Sequence, residues 1–203
     1  LSEILFDQAY VTHPYKHPTI GSMKDLEAAS IADVREFHDT YYVPENAVVT
    51  AVGDFDSAQA LQLVTQYFGR VPKAVKPVPR DVPKEPPQTA ERRVTVHAPW
   101  PLPAVVVAHH ITYDGDPDSY PLHLAAKVLS DGQTSRMYQA LVYDRQIAVE
   151  VNSNADLPAQ TGSFMVAAVM ASGHSVEEGE KALLAQVQAI RDKPPGAAEL
   201  ETA

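Results

Sequence analysis

The stretch IAVEVNSNADLPAQTGSFMVAAVM, residues 147–170, contains two apolar segments that flank a short polar one. Apolar and β-branched runs of this length, interrupted by Asn, Asp, Pro and Gly, are typical of strands joined by a loop. We therefore predict strands at Ile147–Asn154 and Gly162–Met170, joined through Ala155–Gln160. A connection this short brings the two strands together as an antiparallel hairpin.

Further elements flank the hairpin. Periodicity and capping residues predict, in chain order, strands at Arg93–His97 and Ala104–Tyr113, helices at Asp116–Ser130 and Ser135–Tyr143, and, after the hairpin, a helix from Ser175 to Ile190. Paired strands separated by paired helices do not fit a parallel doubly wound sheet, in which strand and helix alternate singly. The predicted fold class is α+β, with mostly antiparallel sheets and helices packed on one face.

The first third of the chain predicts a separate set of elements. Ser30 caps a helix over Ile31–Tyr42, with Asp33 as the partner in a capping box. A short buried strand is expected at Asn46–Val52, and a helix capped by Asp56 or Ser57 runs to Phe68 with Leu61 on its inner side.

A proline-rich segment separates these elements from the rest. Pro72 to Pro87 holds six prolines mixed with charged residues, a composition that excludes a helix or a central strand. We therefore predict two domains, residues 1–72 and 92–203, joined by a linker over residues 73–91. Both ends of the chain read as interrupted helices, so we expect a segment of a longer protein.

Composition excludes several classes of function. The net charge of −10 disfavours a nucleic-acid partner, which needs a basic surface. The absence of cysteine excludes disulfides, thiolate catalysis and cysteine-ligated metals. No apolar run reaches the roughly 18 residues that span a membrane.

The eight histidines raise the question of a metal site. His13 and His17 have the spacing of an H-x-x-E-H motif, but Lys16 stands at the glutamate position, and prolines at 14 and 18 oppose a helix. His109 and His110 are neighbours on a predicted strand, so their rings point to opposite faces. We predict that the segment binds no metal and has no catalytic residue of its own.

Four separated motifs carry a family resemblance. They read HPY…PTIG (13–21), FHDTYYVPENA (37–47) with VGDFD (52–56), YFGRVP (67–72), and SRMYQAL (135–141) with EL (199–200). In this order and spacing they resemble the insulinase/pitrilysin family of zinc metallopeptidases, which includes the mitochondrial processing peptidases. The resemblance covers residues 10–203 apart from the linker.

The resemblance implies a fold, a cofactor and partners. It implies a protein of two related α+β halves of the LuxS/processing-peptidase type, which close around a peptide. In such a protein the first half binds zinc through H-x-x-E-H and a later glutamate. This chain then contains the end of the first half, the linker and most of the second, non-zinc-binding half, and zinc belongs to the parent protein. Implied partners are a peptide or protein substrate and a homodimer or heterodimer with a related subunit. An exported, periplasmic location in a bacterium is favoured over a cytoplasmic one.

The family's second half carries an Arg and a Tyr that contact substrate, and here both are replaced. The matching positions hold Val142 and Val149. Arg145 or Tyr143 could take over, because both are close in sequence. The candidate substrate-facing residues are Val142, Val149 and Arg145.

Three functions remain open at this stage. The first is a peptidase segment that shapes the substrate chamber away from the zinc. The second is a non-catalytic partner subunit that binds peptides for an active companion, which the two valines favour. The third is an unrelated α+β binding domain, which four ordered motifs disfavour.

Overall fold

The computed structural model describes residues 2–202, which form two compact units. The larger unit contains residues 2–11 and 85–202, and the smaller contains residues 12–84. The domain boundaries predicted from the sequence concern the halves of a longer protein, and they stay a prediction.

Helices make up most of the regular structure. In chain order they are α1 (Ser2–Ala9), α2 (Met23–Ala28), α3 (Ile31–Tyr41), α4 (Ser57–Phe68), α5 (Ser119–Ser130), a π-helix (Tyr138–Asp144), α6 (Val176–Asp192) and α7 (Ala197–Thr202), with short 3-10 turns at Pro14–Lys16 and Pro44–Asn46. Within the described residues no helix is both long enough and apolar enough to cross a membrane.

The larger unit is built on a three-stranded sheet. Its strands are β1 (Ala104–Ile111), β2 (Ala148–Asp156) and β3 (Gly162–Met170), in the spatial order β1-β3-β2. Both pairings are antiparallel. The predicted hairpin is confirmed as β2 and β3, and β3 is the central strand.

One hydrophobic core lies between this sheet and its helices. The helices contribute Leu129, Met137, Leu141 and Leu183, and the sheet contributes alternate residues such as Val166, all of them at most 1% exposed. Burial of large aliphatic side chains contributes about 1.5–3 kcal/mol each and supplies most of the driving force. The predicted α+β class, with helices on one face of an antiparallel sheet, is confirmed.

Local capping explains where most helices begin. Ser30 and Asp33 form the predicted reciprocal capping box of α3, and the side chain of Asp56 accepts a hydrogen bond from the Gln59 amide at the start of α4. The predicted start at Asp116 is wrong, because α5 begins at Ser119. The Asp116 side chain instead accepts a hydrogen bond from the Asp118 amide, in a turn that precedes the helix.

Two predicted strands were wrong, and one predicted helix is of an unusual type. Asn46–Val52 and Arg93–His97 are not strands, because within residues 2–202 no neighbouring segment pairs with them, and a strand requires a partner. Most of the predicted helix Ser135–Tyr143 is a π-helix over Tyr138–Asp144.

The smaller unit leaves many apolar side chains exposed. Ile31 and Val34 of α3 are 75% and 63% exposed, and Leu61 and Phe68 of α4 are 67% and 55% exposed. The expectation that Leu61 faces inward is therefore wrong for this chain. Inside the unit the linker is attached by Glu45, which accepts a hydrogen bond from the Ala74 amide, and by Arg80, which donates to Asn46.

Candidate functional site

The two faces of the sheet have different environments. One face packs against α5 and α6 and contributes to the core. On this face lie, side by side in the register, Val105, Ala168 and Val151. The next residues in each strand, Val106, Ala167 and Asn152, are also side by side and therefore point to the opposite face. We call this second side the open face.

The open face combines an apolar floor with a polar row. The floor is formed by partly exposed residues of β1 and β3, namely Val106, Ala108, Met165 and Ala167. The polar row lies on β2 and consists of Glu150, Asn152, Asn154 and Asp156. Within residues 2–202 these four side chains make no hydrogen bond or ion pair with another protein group. Glu150, Asn152 and Asn154 are exposed, and Asp156 is half-buried.

One end of the open face is bounded by α1. The His110 ring contacts Tyr10 edge to face at 5.1 Å, and its Nε2 lies 2.9 Å from the Ala9 carbonyl, to which it donates. Arg92 donates to the carbonyls of Gln8 and Ala9 at 2.7 and 3.1 Å. These donors satisfy carbonyls that the helix end leaves unpaired, so α1 is firmly attached here.

The segment that leads into β2 has three backbone irregularities in thirteen residues. The π-helix comes first, Gln146 follows with a φ of 53°, and the register of β2 shifts between Ala148 and Glu150. π-helices, left-handed non-glycine residues and bulges each concentrate at functional sites. The predicted substrate-facing residues all fall within this segment.

The two valines of this segment have different surroundings. Val142, in the π-helix, is half-buried and packs against the core. Val149, at the bulge, is 53% exposed. Neither side chain can donate a hydrogen bond to a peptide carbonyl. Tyr143, next to Val142, is 68% exposed.

Arg145 belongs to a polar group that sequence reasoning missed. Its Nη2 lies 3.4 Å from Oε1 of Glu178, whose Oε2 lies 2.8 Å from Nδ1 of His174. The hydrogen bond from His174, together with the positive charges of His174 and Arg145, lowers the pKa of Glu178 below its ordinary value. Ser175 caps α6 by accepting a hydrogen bond from the Glu178 amide, and the Glu178 carboxylate faces His174 and Arg145.

The histidines considered as ligands have other roles. His13 is buried, and its Nδ1 accepts a hydrogen bond from the Tyr15 amide at 3.1 Å, which caps the 3-10 turn. His109 pairs with Phe164, whose side chain is in the core, and His110 with Ser163 on the open face, so the two rings point to opposite sides as predicted.

Among residues 2–202 no group of three or more His, Cys, Asp or Glu side chains could hold a metal ion. A zinc site of a peptidase needs three protein ligands that converge on one ion. The described residues therefore do not fit a resident zinc, and no chemical step can be derived through one in this chain.

Comparison with known proteins identifies the family. Residues 28–203 match the family described as Peptidase M16 inactive domain. The chain belongs to this family, as the insulinase/pitrilysin resemblance predicted.

Individual relatives agree with this assignment. The chain is 30% identical over 151 residues to the zinc protease PqqE of Helicobacter pylori, an alignment that covers 73% of this chain and 34% of that protein. It is similar to the crystal structure of a protease from Helicobacter pylori with a TM-score of 0.91 and 27% identity, covering 100% of this chain and 49% of that one. The periplasmic protease PqqL of Escherichia coli shares the fold alone, at 17% identity and a TM-score of 0.66, over 99% of this chain and 23% of PqqL. The chain thus covers 23–49% of the length of these three proteins.

Proposed function

We propose that this chain is the non-catalytic part of a zinc-dependent peptidase, and that it forms a wall of the chamber in which peptides are bound. The observation that carries this proposal is the open face, where polar side chains that have no partner within residues 2–202 lie beside an apolar floor. Peptides present both polar main-chain groups and apolar side chains, so they match such a surface. Membership of the peptidase family supports the same conclusion.

The chemistry of hydrolysis then belongs to the rest of the protein. Zinc lowers the pKa of a bound water and polarises the scissile carbonyl. The residues of this chain would orient the peptide, exclude water and hold the substrate in reach. We propose an exported, periplasmic location for the parent protein.

The test compares this chain with the full-length protein. Both are purified, and zinc content and cleavage of a fluorogenic peptide are measured side by side. We expect zinc and cleavage in the full-length protein only, with activity lost in 1,10-phenanthroline and restored by zinc. Stoichiometric zinc in the isolated chain would contradict the proposal.

A second candidate is a peptide-binding subunit that serves an active companion. Val142 and Val149 favour it, because they stand where the resemblance implies an Arg and a Tyr. A full-length protein that binds peptides but cleaves them only when a related subunit is added would support this second function over the first.

A further inference from the structure

We propose that the open face selects peptides with cationic side chains, through Glu150 and Asp156 at the two ends of the polar row. This inference rests on the proposed function and adds the charge of the substrate to it. It concerns a peptide in extended conformation that lies along β2.

The charges of the face support this choice. β1, β2 and β3 contain no Lys or Arg in their sequences. The His110 side chain, which lies on the open face, already donates to the Ala9 carbonyl. The two carboxylates therefore lack a cationic partner from the sheet, in a chain whose net charge is −10. A cationic ligand is attracted to such a surface and an anionic one is repelled.

The spacing of the row defines the ligand further. Glu150 and Asp156 are six residues apart on one strand, which corresponds to about 20 Å at ~3.3 Å per residue. Asn152 and Asn154 lie between them on the same face. An amide side chain offers both a donor and an acceptor, so it can pair with peptide main-chain groups regardless of sequence. The expected ligand has two cations about six residues apart, joined by an uncharged segment.

A cavity beside the floor provides further space. It has a volume of about 580 Å³, and its walls include Ala108 and His110 of β1 together with linker residues 85–91. Pro86 and Pro87 have no N–H, so at these positions the linker cannot donate to β1. The carboxylates of Glu85 and Glu91 are already engaged, by the Val11 amide and by Arg93. We therefore assign the selection of cationic peptides to the carboxylates of β2 and not to those of the linker.

The experiment measures peptide affinity by fluorescence anisotropy on the full-length protein, with 1,10-phenanthroline present to prevent cleavage. Three labelled seven-residue peptides share a Ser/Ala centre and carry Lys, Gln or Glu at both ends. We expect the Lys peptide to bind tightest and the Glu peptide weakest. The preference should shrink as salt is raised, because exposed charges are screened.

Two double variants separate the charge effect from a general one. Glu150→Gln with Asp156→Asn should weaken the Lys peptide by about threefold to tenfold and leave the Gln peptide unchanged, as expected for two ion pairs that stay partly solvated. The matched control is Glu177→Gln with Asp192→Asn on α6, which packs against the other face. It removes the same charge, and it should leave all three affinities unchanged.

The outcomes distinguish this inference from the proposed function. If the Lys and Gln peptides bind equally well, or if the α6 control weakens the Lys peptide as much as the β2 variant does, the charge selection is wrong and the proposed function stands. If none of the three peptides binds, the proposed peptide-binding role itself is contradicted. Asn152→Ala with Asn154→Ala should weaken all three peptides to a similar extent.

Discussion

Arg136 donates two hydrogen bonds to the carboxylate of Glu199, although the two residues are 63 positions apart in sequence. The Nη2–Oε2 distance is 2.8 Å, and Nη1 donates to the Lys193 carbonyl at 2.9 Å. Arg136 lies just before the π-helix, and its guanidinium is bonded to the end of α6 and to α7. The Arg136 side chain is only 17% exposed.

We predict that Arg136→Met lowers the free energy of unfolding by about 1 kcal/mol, because two charge-assisted bonds to Glu199 and one to the Lys193 carbonyl are lost, while the Glu199 side chain, 37% exposed, stays partly solvated. Arg136→Lys should recover little, since an ammonium cannot make the bidentate contact. Urea unfolding measures both variants. Arg191→Met, which removes an Arg without an ion pair in the described part of the chain, should have no effect; equal losses in Arg191→Met and Arg136→Met would contradict this account.

The Glu178 carboxylate should respond to pH through its partners. The hydrogen bond from His174 is the largest cause of its lowered pKa. A carboxyl group whose pKa is lower in the folded state adds stability above its unfolded pKa, and this stability is lost as the pH falls through the folded pKa. We expect NMR titration to show the pKa of Glu178 rising toward its ordinary value in His174→Ala. An unchanged pKa in that variant would mean that the contact seen here does not form in solution.

Gly179 lies where α6 approaches the sheet most closely. A Cβ added at this position would overlap Sδ of Met170 and come within 3.0 Å of Cγ1 of Val105. Gly179→Ala should therefore destabilise the unit by about 1–3 kcal/mol, even though alanine is the better helix former. Gly196→Ala is the matched control, since nothing lies within 4 Å of its added Cβ. Thermal unfolding that ranks Gly196→Ala as the more damaging change would refute this packing.

Gln146 is the one non-glycine residue with positive φ within residues 2–202. A left-handed conformation costs roughly 1–2 kcal/mol for an ordinary residue and more for a β-branched one. Gln146→Gly should leave stability unchanged or raise it by up to about 1 kcal/mol, whereas Gln146→Val should lower it by at least about 1 kcal/mol. Urea unfolding checks the order. Equal stabilities of the Gly and Val variants would show that position 146 is not held in this conformation.

The two valines of the candidate segment should differ in their tolerance of polar side chains. Val142→Arg places a cation where an apolar side chain packs against the core, and it should cost about 1–3 kcal/mol of stability. Val149→Tyr changes an exposed position and should stay within about 0.5 kcal/mol of the wild type. If Val149 faces substrate, the tyrosine also tightens peptide binding in the anisotropy measurement. A loss of stability in Val149→Tyr equal to that in Val142→Arg would contradict the surroundings described here.

Several features of the fold were predictable because they depend on neighbouring residues. The hairpin of β2 and β3, the capping box of Ser30 and Asp33, and the cap of α6 by Ser175 follow from short-range hydrogen bonding and alternation. The two wrong strand predictions had a common cause. Asn46–Val52 and Arg93–His97 have the composition of strands, but a strand also needs a partner elsewhere in the structure.

The candidate site was only partly predictable. The family resemblance pointed to Val142, Arg145 and Val149, and their role as substrate-facing residues stays a prediction. It did not reveal that Arg145 meets Glu178, because the two are 33 residues apart. The sequence also did not show which residues of β2, such as Asn152, lie on the open face and which face the core.

The sequence by itself determined the hairpin of β2 and β3, the helices that flank it, the absence of thiol chemistry and the membership of a peptidase family, because these depend on composition, local pattern and motif spacing. Only the tertiary structure decided that β3 is the central strand, that α5 and α6 are the helices that cover one face of the sheet, and that Glu150, Asn152, Asn154 and Asp156 form one row on the other face. The physical reason is that strand order and burial depend on long-range packing. Packing of residues distant in sequence places α5 and α6 on one side of the sheet and leaves the other side open.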